Sequence, residues 1–176
     1  MFLISILRVI VLFFFISYSQ FSLANDKIFH IDIDYIMNNS IAGKSIIKQL
    51  DTISKKNLSE LKKIEDKLKK EETKIISQKN ILDKKEYEKI VTLFTNKVSS
   101  YQKKRSTKIE EINLKKSQAQ STLVGDLTNI LTIYSKKNNI SYIVPKQNII
   151  IGKKELDITN KILKELDLKI TTIKVE

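Results

Sequence analysis

The chain has 176 residues, no cysteine and one histidine, so disulfides, thiolate metal sites and histidine-based triads or clusters are all excluded. Its formal charge of +12 implies attraction to anionic surfaces or chains. No nucleophile–base set, paired-carboxylate pocket or Gly-rich phosphate loop can be assembled from it, which leaves an enzyme the least supported class.

In chain order, Met1–Ala24 carries Arg8 as its only charge, an apolar core at Val9–Ile16 and small residues at Ser22-Leu23-Ala24. That pattern is a cleaved secretory signal, and the apolar run is short for a membrane span of about 20 residues. No Cys stands at the cleavage site, which excludes a lipoprotein anchor. Removing Arg8 leaves a processed chain of charge +11. An exported location also argues against a nucleic-acid partner, as does the absence of a basic patch interleaved with aromatics.

The processed chain opens on Ile28–Tyr35, where Phe29, Ile31, Ile33 and Tyr35 alternate with Ile28, His30, Asp32 and Asp34. A period of two predicts a half-buried strand, with His30 as a sheet residue whose ring is satisfied. Lys44–Val124 then runs without Gly or Pro and is rich in Lys, Glu, Leu and Ile. This predicts long helices rather than disorder, because apolar residues recur at helical spacing. One seam is Ile46, Leu50, Ile53, Asn57, Leu61, Ile64, Leu68, Glu71 and Ile75. A second is Tyr87, Val91, Phe94, Val98, Tyr101, Arg105, Ile109, Ile112, Lys116, Ala119, Leu123, Leu127, Ile130 and Tyr134. Both are narrow, coiled-coil-like stripes with polar breaks.

Asn138-Asn139 marks a helix stop. Ile140–Pro145 and Asn148–Ile151 are two short β-rich runs, Asp157 or Thr159 can cap a last helix over Asn160–Leu166, and Lys169–Val175 suits a final strand.

One straight helix of the Gly- and Pro-free length would span about 120 Å and hold the first strand far from the later ones. Lone strands are unstable in water, so the helical segment is expected to fold back near 77–85, where Asn80 and Asp83 are weak helix formers. Antiparallel pairing between two chains would serve the same need. The fold class is therefore α+β: a long helical hairpin (44–134) projecting from a small β-sheet body (25–43 and 135–176). That body is marginal alone, and self-association through its sheet is the remedy.

Several stretches carry a family likeness. The strand IFHIDIDYIM runs into SIAGKSIIKQL, a Lys-rich helical middle follows, ISYIVPKQNIIIG returns, and ELDITNKILKEL closes. In this order the chain resembles the Skp/OmpH family of periplasmic chaperones. The resemblance implies a homotrimer with a barrel-like body and three helical arms around a cavity. It implies ATP-independent holding of unfolded outer-membrane proteins in the periplasm, with no cofactor.

From Lys55 to Lys116 there are 19 basic and 10 acidic residues, so most of the charge lies on the arms. Client contacts are expected at Leu61, Ile64, Leu68, Phe94, Val98 and Tyr101, unless these only join the two arm helices. Anionic lipid or lipopolysaccharide contacts are expected at Lys103, Lys104, Arg105 and Lys108, unless these form a solvated helix face. The oligomer interface is expected at Phe29, Ile31, Ile33, Ile143, Val144, Ile149 and Ile151. The other open class is an envelope coiled-coil adaptor without clients.

Overall fold

A computed structural model describes residues 27–176; the expected signal segment lies outside these residues. Strand β1 (Ile28–Ile31) is followed by helices α1 (Ile33–Asn39), α2 (Ile41–Gln78) and α3 (Lys84–Asn138). Strand β2 (Tyr142–Pro145), two short 3-10 turns and helix α4 (Thr159–Lys169) complete the order.

The first strand is shorter than its alternation suggests. Asp32 ends it, because its carboxylate accepts from the Tyr35 backbone N–H at 2.8 Å and caps α1. Ile33 and Tyr35 therefore lie on a helix and not on the strand. One residue after α1, Ser40 caps α2 by accepting from the Gly43 N–H at 3.0 Å. Polar side chains that satisfy the free N–H groups of a first turn thus divide IFHIDIDYIMNNSIAGK into three elements.

The chain reverses between Gln78 and Lys84, where Asp83 accepts from Glu86 N–H at 2.9 Å and starts α3. The pairing of long helices is therefore within one chain. At 1.5 Å per residue, α2 is about 57 Å and α3 about 82 Å long. Asn139 ends α3 in the left-handed conformation (φ 51°, ψ 50°), which its short polar side chain tolerates.

The hairpin brings the two strands together in a parallel pair, Ile28 opposite Tyr142, Phe29 opposite Ile143, His30 opposite Val144 and Ile31 opposite Pro145. Two expected strands do not form. Residues after Pro145 turn through a 3-10 helix, with Ile149 N–H bonded to the Lys146 carbonyl at 3.0 Å. Ile149 and Ile151 thus lie outside the sheet. Residues 170–176 have no ladder partner either, because α4 continues to Lys169.

The body is consequently more helical than expected. Its buried core joins Ile31, Ile36, Ala42 and Ile46 to Ala119, Leu123, Leu127 and Ile130 of α3, and to Ile158, Ile162 and Leu166 of the α4 region. Three polar ties hold α4 in place. Thr159 Oγ1 accepts from Asp32 N–H at 2.9 Å, Asp167 accepts from Ile41 N–H at 2.7 Å, and the His30 carbonyl accepts from Ile158 N–H at 3.0 Å. The α4 start is helped by Asp157, which accepts from Thr159 N–H, not by an oxygen of Thr159. Burial opposes ionisation of Asp157, but hydrogen bonds from Thr159 and from the Lys146 ammonium outweigh it and hold the carboxyl at about 2.

The His30 ring is not satisfied as expected. It is buried, and neither ring nitrogen has a hydrogen-bond partner among the described residues; Asp157 Oδ2 lies 3.8 Å from Nδ1.

The AGK turn has a steric cause. A methyl group at Gly43 would overlap the Met37 carbonyl oxygen, whereas one at Gly125 would meet nothing. Gly43→Ala is expected to cost about 1–3 kcal/mol by forcing α1 and α2 apart. Gly125→Ala, in mid-helix, is expected to gain about 0.5–1 kcal/mol. Urea unfolding followed by circular dichroism separates the two; equal effects would contradict the close approach of α1 and α2.

Candidate functional site

The largest surface of the molecule is the hairpin arm, and its seam is built from the first predicted stripe. Every residue of that stripe, from Ile46 to Ile75, is buried or half-buried. The second stripe holds from Tyr87 to Tyr101 and again from Ala119 to Tyr134. Between them it shifts phase. Arg105, Ile109 and Lys116 are exposed, Ile112 stays half-buried, and Lys108 and Lys115 turn inward from outside the stripe. The 3.6-residue turn drifts against a heptad repeat, so a long stripe slips unless the sequence resets it.

Two polar layers cross the seam. Lys97 of α3 pairs with Glu71 of α2. Nearer the body, Lys108 Nζ donates to Asn57 Oδ1 at 2.8 Å and lies 3.3 Å from Glu60. Asn57 is only 8% exposed, so this contact satisfies a buried amide. Lys108 is therefore engaged between the helices, while Lys103, Lys104 and Arg105 stand exposed.

The six apolar arm candidates, Leu61, Ile64, Leu68, Phe94, Val98 and Tyr101, are all half-buried. Ile64, Leu68 and Tyr101 line an open groove with Leu93, and Lys67, Lys104 and the Lys97–Glu71 pair also border it. An apolar floor with an ammonium rim can hold apolar side chains next to carboxylates or phosphates. Leu58, Ile76, Ile81 and Leu114 add apolar surface that the periodicity did not single out, because they fall outside either seam; Ile109, which the second stripe included, is exposed as well.

Several arm carboxylates are matched by lysines of the same helix. Asp51 pairs with Lys55, Glu65 with Lys69 and Asp66 with Lys62. The Lys69 hydrogen bond and the charges of Lys62 and Lys69 hold the Glu65 carboxyl below its usual range. Such exposed pairs contribute little stability. Their consequence is that the excess lysines set the potential of the arm.

At the body, the interface candidates divide. Ile31 is fully buried within the protomer, and Phe29, Ile33 and Ile143 pack half-buried on the same core. Val144 and Ile149 are half-buried. Ile151 is 91% exposed, and its neighbour Ile150 is 99% exposed. Ile28 and Tyr142, at the same end of the two-stranded sheet, are also exposed. Among the described residues no cluster suits a metal ion, and no helix is long and apolar enough to cross a membrane.

The family model described as Outer membrane protein (OmpH-like) matches residues 27–166, which include both strands, the whole hairpin and most of α4. The chain belongs to the OmpH-like family. No curated protein matches it. Among solved structures, it is similar to the crystal structure of a proposed outer membrane chaperone (OmpH-like) from Caulobacter crescentus. That similarity has a TM-score of 0.78 at 19% identity and covers 89% of this chain and 94% of the other. At this identity the likeness is one of fold, and it extends the match from single elements to the whole OmpH-like architecture.

Lys108→Ala is expected to destabilise the arm by about 1–2 kcal/mol, because Asn57 is left buried without a partner. Lys103→Ala and Lys104→Ala are expected to stay within about 0.5 kcal/mol. Amide hydrogen exchange around residue 57 checks this. Equal protection in all three variants would place Lys108 outside the seam.

Proposed function

We propose that this OmpH-like chain is a periplasmic, ATP-independent holdase that keeps unfolded outer-membrane proteins from aggregating. The observation that carries the reading is the basic hairpin. It carries most of the net charge, and it leaves an apolar, lysine-bordered groove open between residues 64–71 and 93–104. Family membership supports the chaperone role, and an exported chain suits clients of the outer membrane. Holding requires no chemical step, which suits a sequence without a phosphate loop.

The electrostatic part works at long range. A positive arm raises the encounter rate with acidic clients and anionic head groups, and salt screens it over about 8–10 Å. The apolar groove then works at short range, where burial of roughly 25 cal/mol per Å² does not depend on the client's sequence. Lys103, Lys104 and Arg105 extend the positive rim toward lipid or lipopolysaccharide; Lys108 contributes only through the seam.

The body is the oligomer interface in this reading, and the assembly is a homotrimer whose arms surround a cavity. Support comes from the protomer itself. Among the described residues the outer edge of β2 has no strand partner, whereas that of β1 is bridged at His30 to Asp157; Ile28, Tyr142, Ile150 and Ile151 are exposed, and Ile28 and Ile151 line one cleft.

The purified chain is expected to suppress light scattering by a diluted, denatured β-barrel protein without nucleotide. Capture should weaken several-fold as salt rises from about 50 to about 500 mM. No protection at equimolar trimer would support a structural adaptor instead, and indifference to salt would remove charge steering.

Ile150→Asp with Ile151→Asp is expected to lower the sedimentation mass from trimer to monomer without loss of helix. Ile31→Asp is expected to unfold the body, since that side chain is already buried within one protomer. A trimer that survives the double change would place the interface elsewhere.

A further inference from the structure

Residues 170–176 follow α4 without regular secondary structure, and they lie outside the residues that the family model matches. They are nevertheless held. Ile173 is 7% exposed and belongs to the core cluster, Val175 packs half-buried against it, and Thr172, Lys174 and Glu176 are exposed. This alternation is that of an extended chain with one face inward.

The backbone of the segment is read by one side chain. Gln49 Nε2 of α2 donates to the Ile173 carbonyl at 2.7 Å, and Gln49 Oε1 accepts from the Val175 N–H at 3.1 Å. A residue in a parallel ladder bonds its partner chain in this pattern, to the C=O before and the N–H after the residue opposite. The amide of Gln49 thus stands in for one strand residue, opposite Lys174. Ser45 steadies it, with its carbonyl and Oγ at 3.3 and 3.2 Å from Nε2. On the other side, Gln118, Thr122 and Asp126 of α3 line a cleft along the segment. Only main-chain atoms and the apolar side chains of Ile173 and Val175 are recognised, so the site suits an extended peptide with apolar residues at alternate, inward positions.

We propose that the surface at the arm roots, between Gln49 of α2 and α3, is a second peptide-binding site, which residues 170–176 occupy in cis and which an extended, alternately apolar client segment enters by exchange. The client part rests on the holdase reading, since strands of outer-membrane barrels alternate apolar and polar residues. Cis occupancy acts as an effective concentration in the millimolar range, so exchange favours clients that engage the arm at the same time.

The test uses a fluorescent synthetic peptide of the sequence of residues 169–176 and the chain with residues 171–176 deleted. Fluorescence anisotropy is expected to show saturable binding to the deletion variant, at least about tenfold tighter than to the intact chain. Gln49→Ala in the deletion variant, or Ile173→Asp in the peptide, should weaken it severalfold. Where the deletion variant loses its helix by circular dichroism, Ile173→Ser in the intact chain takes its place and should also gain peptide binding. A folded variant that binds no peptide, or binds it regardless of Gln49 and Ile173, would overturn the site. A denatured barrel protein should displace the bound peptide. Peptide binding that client leaves unchanged would overturn exchange while the holdase reading stands. A chain that protects no client in light scattering would overturn that reading, and peptide binding would still decide the site.

Discussion

The parallel pairing of Ile28–Ile31 with Tyr142–Pro145 is the constraint on which the molecule depends. Parallel strands cannot be joined by a tight turn; they need a crossover. Here the crossover is the entire helical hairpin, and its two helices must run out and back for the strands to meet. The arm is thus both the connection that closes the body and the surface that the body presents. A change in the seam between α2 and α3 acts on the register of the sheet as well as on the arm.

Energy and specificity are divided along the hairpin. At its foot, full burial of Leu123, Leu127, Ile46 and Ala119 supplies hydrophobic stabilisation. Farther out, the seam is half-buried, and polar layers at Asn57–Lys108 and Glu71–Lys97 add little energy. A buried polar contact of this kind penalises slipped pairings, because each slip strands the Asn57 amide. The outer arm therefore keeps its register with few apolar contacts, and its remaining apolar side chains stay accessible. That balance suits a holdase, in which a surface must be sticky enough to hold and too thin to collapse on itself.

Gln49 extends the same economy to the body. One side-chain amide replaces a strand residue and holds residues 170–176 across the foot of the arms. The β2 edge and the Ile150–Ile151 pair lie exposed at the same body.

Periodicity in the sequence determined the long helices, the first seam residue by residue, and the need for a reversal. These are local properties: apolar spacing, the absence of Gly and Pro over a long run, and weak helix formers at Asn80 and Asp83. The concentration of positive charge on the arm was equally legible, because charge on a solvated helix needs no fold to be counted. Tertiary structure alone decided the rest. The alternation through Ile33 and Tyr35 gave way to a helix because the core takes Ile36 and Thr159 holds the Asp32 N–H, with the local Asp32 cap in support. Asn148–Ile151 and Lys169–Val175 remained outside the sheet because a strand exists only where another backbone offers it partners, and propensity carries no record of that. The inward turn of Lys108, the steric demand at Gly43 and the grip of Gln49 depend on atoms brought together from 6 to 126 positions apart.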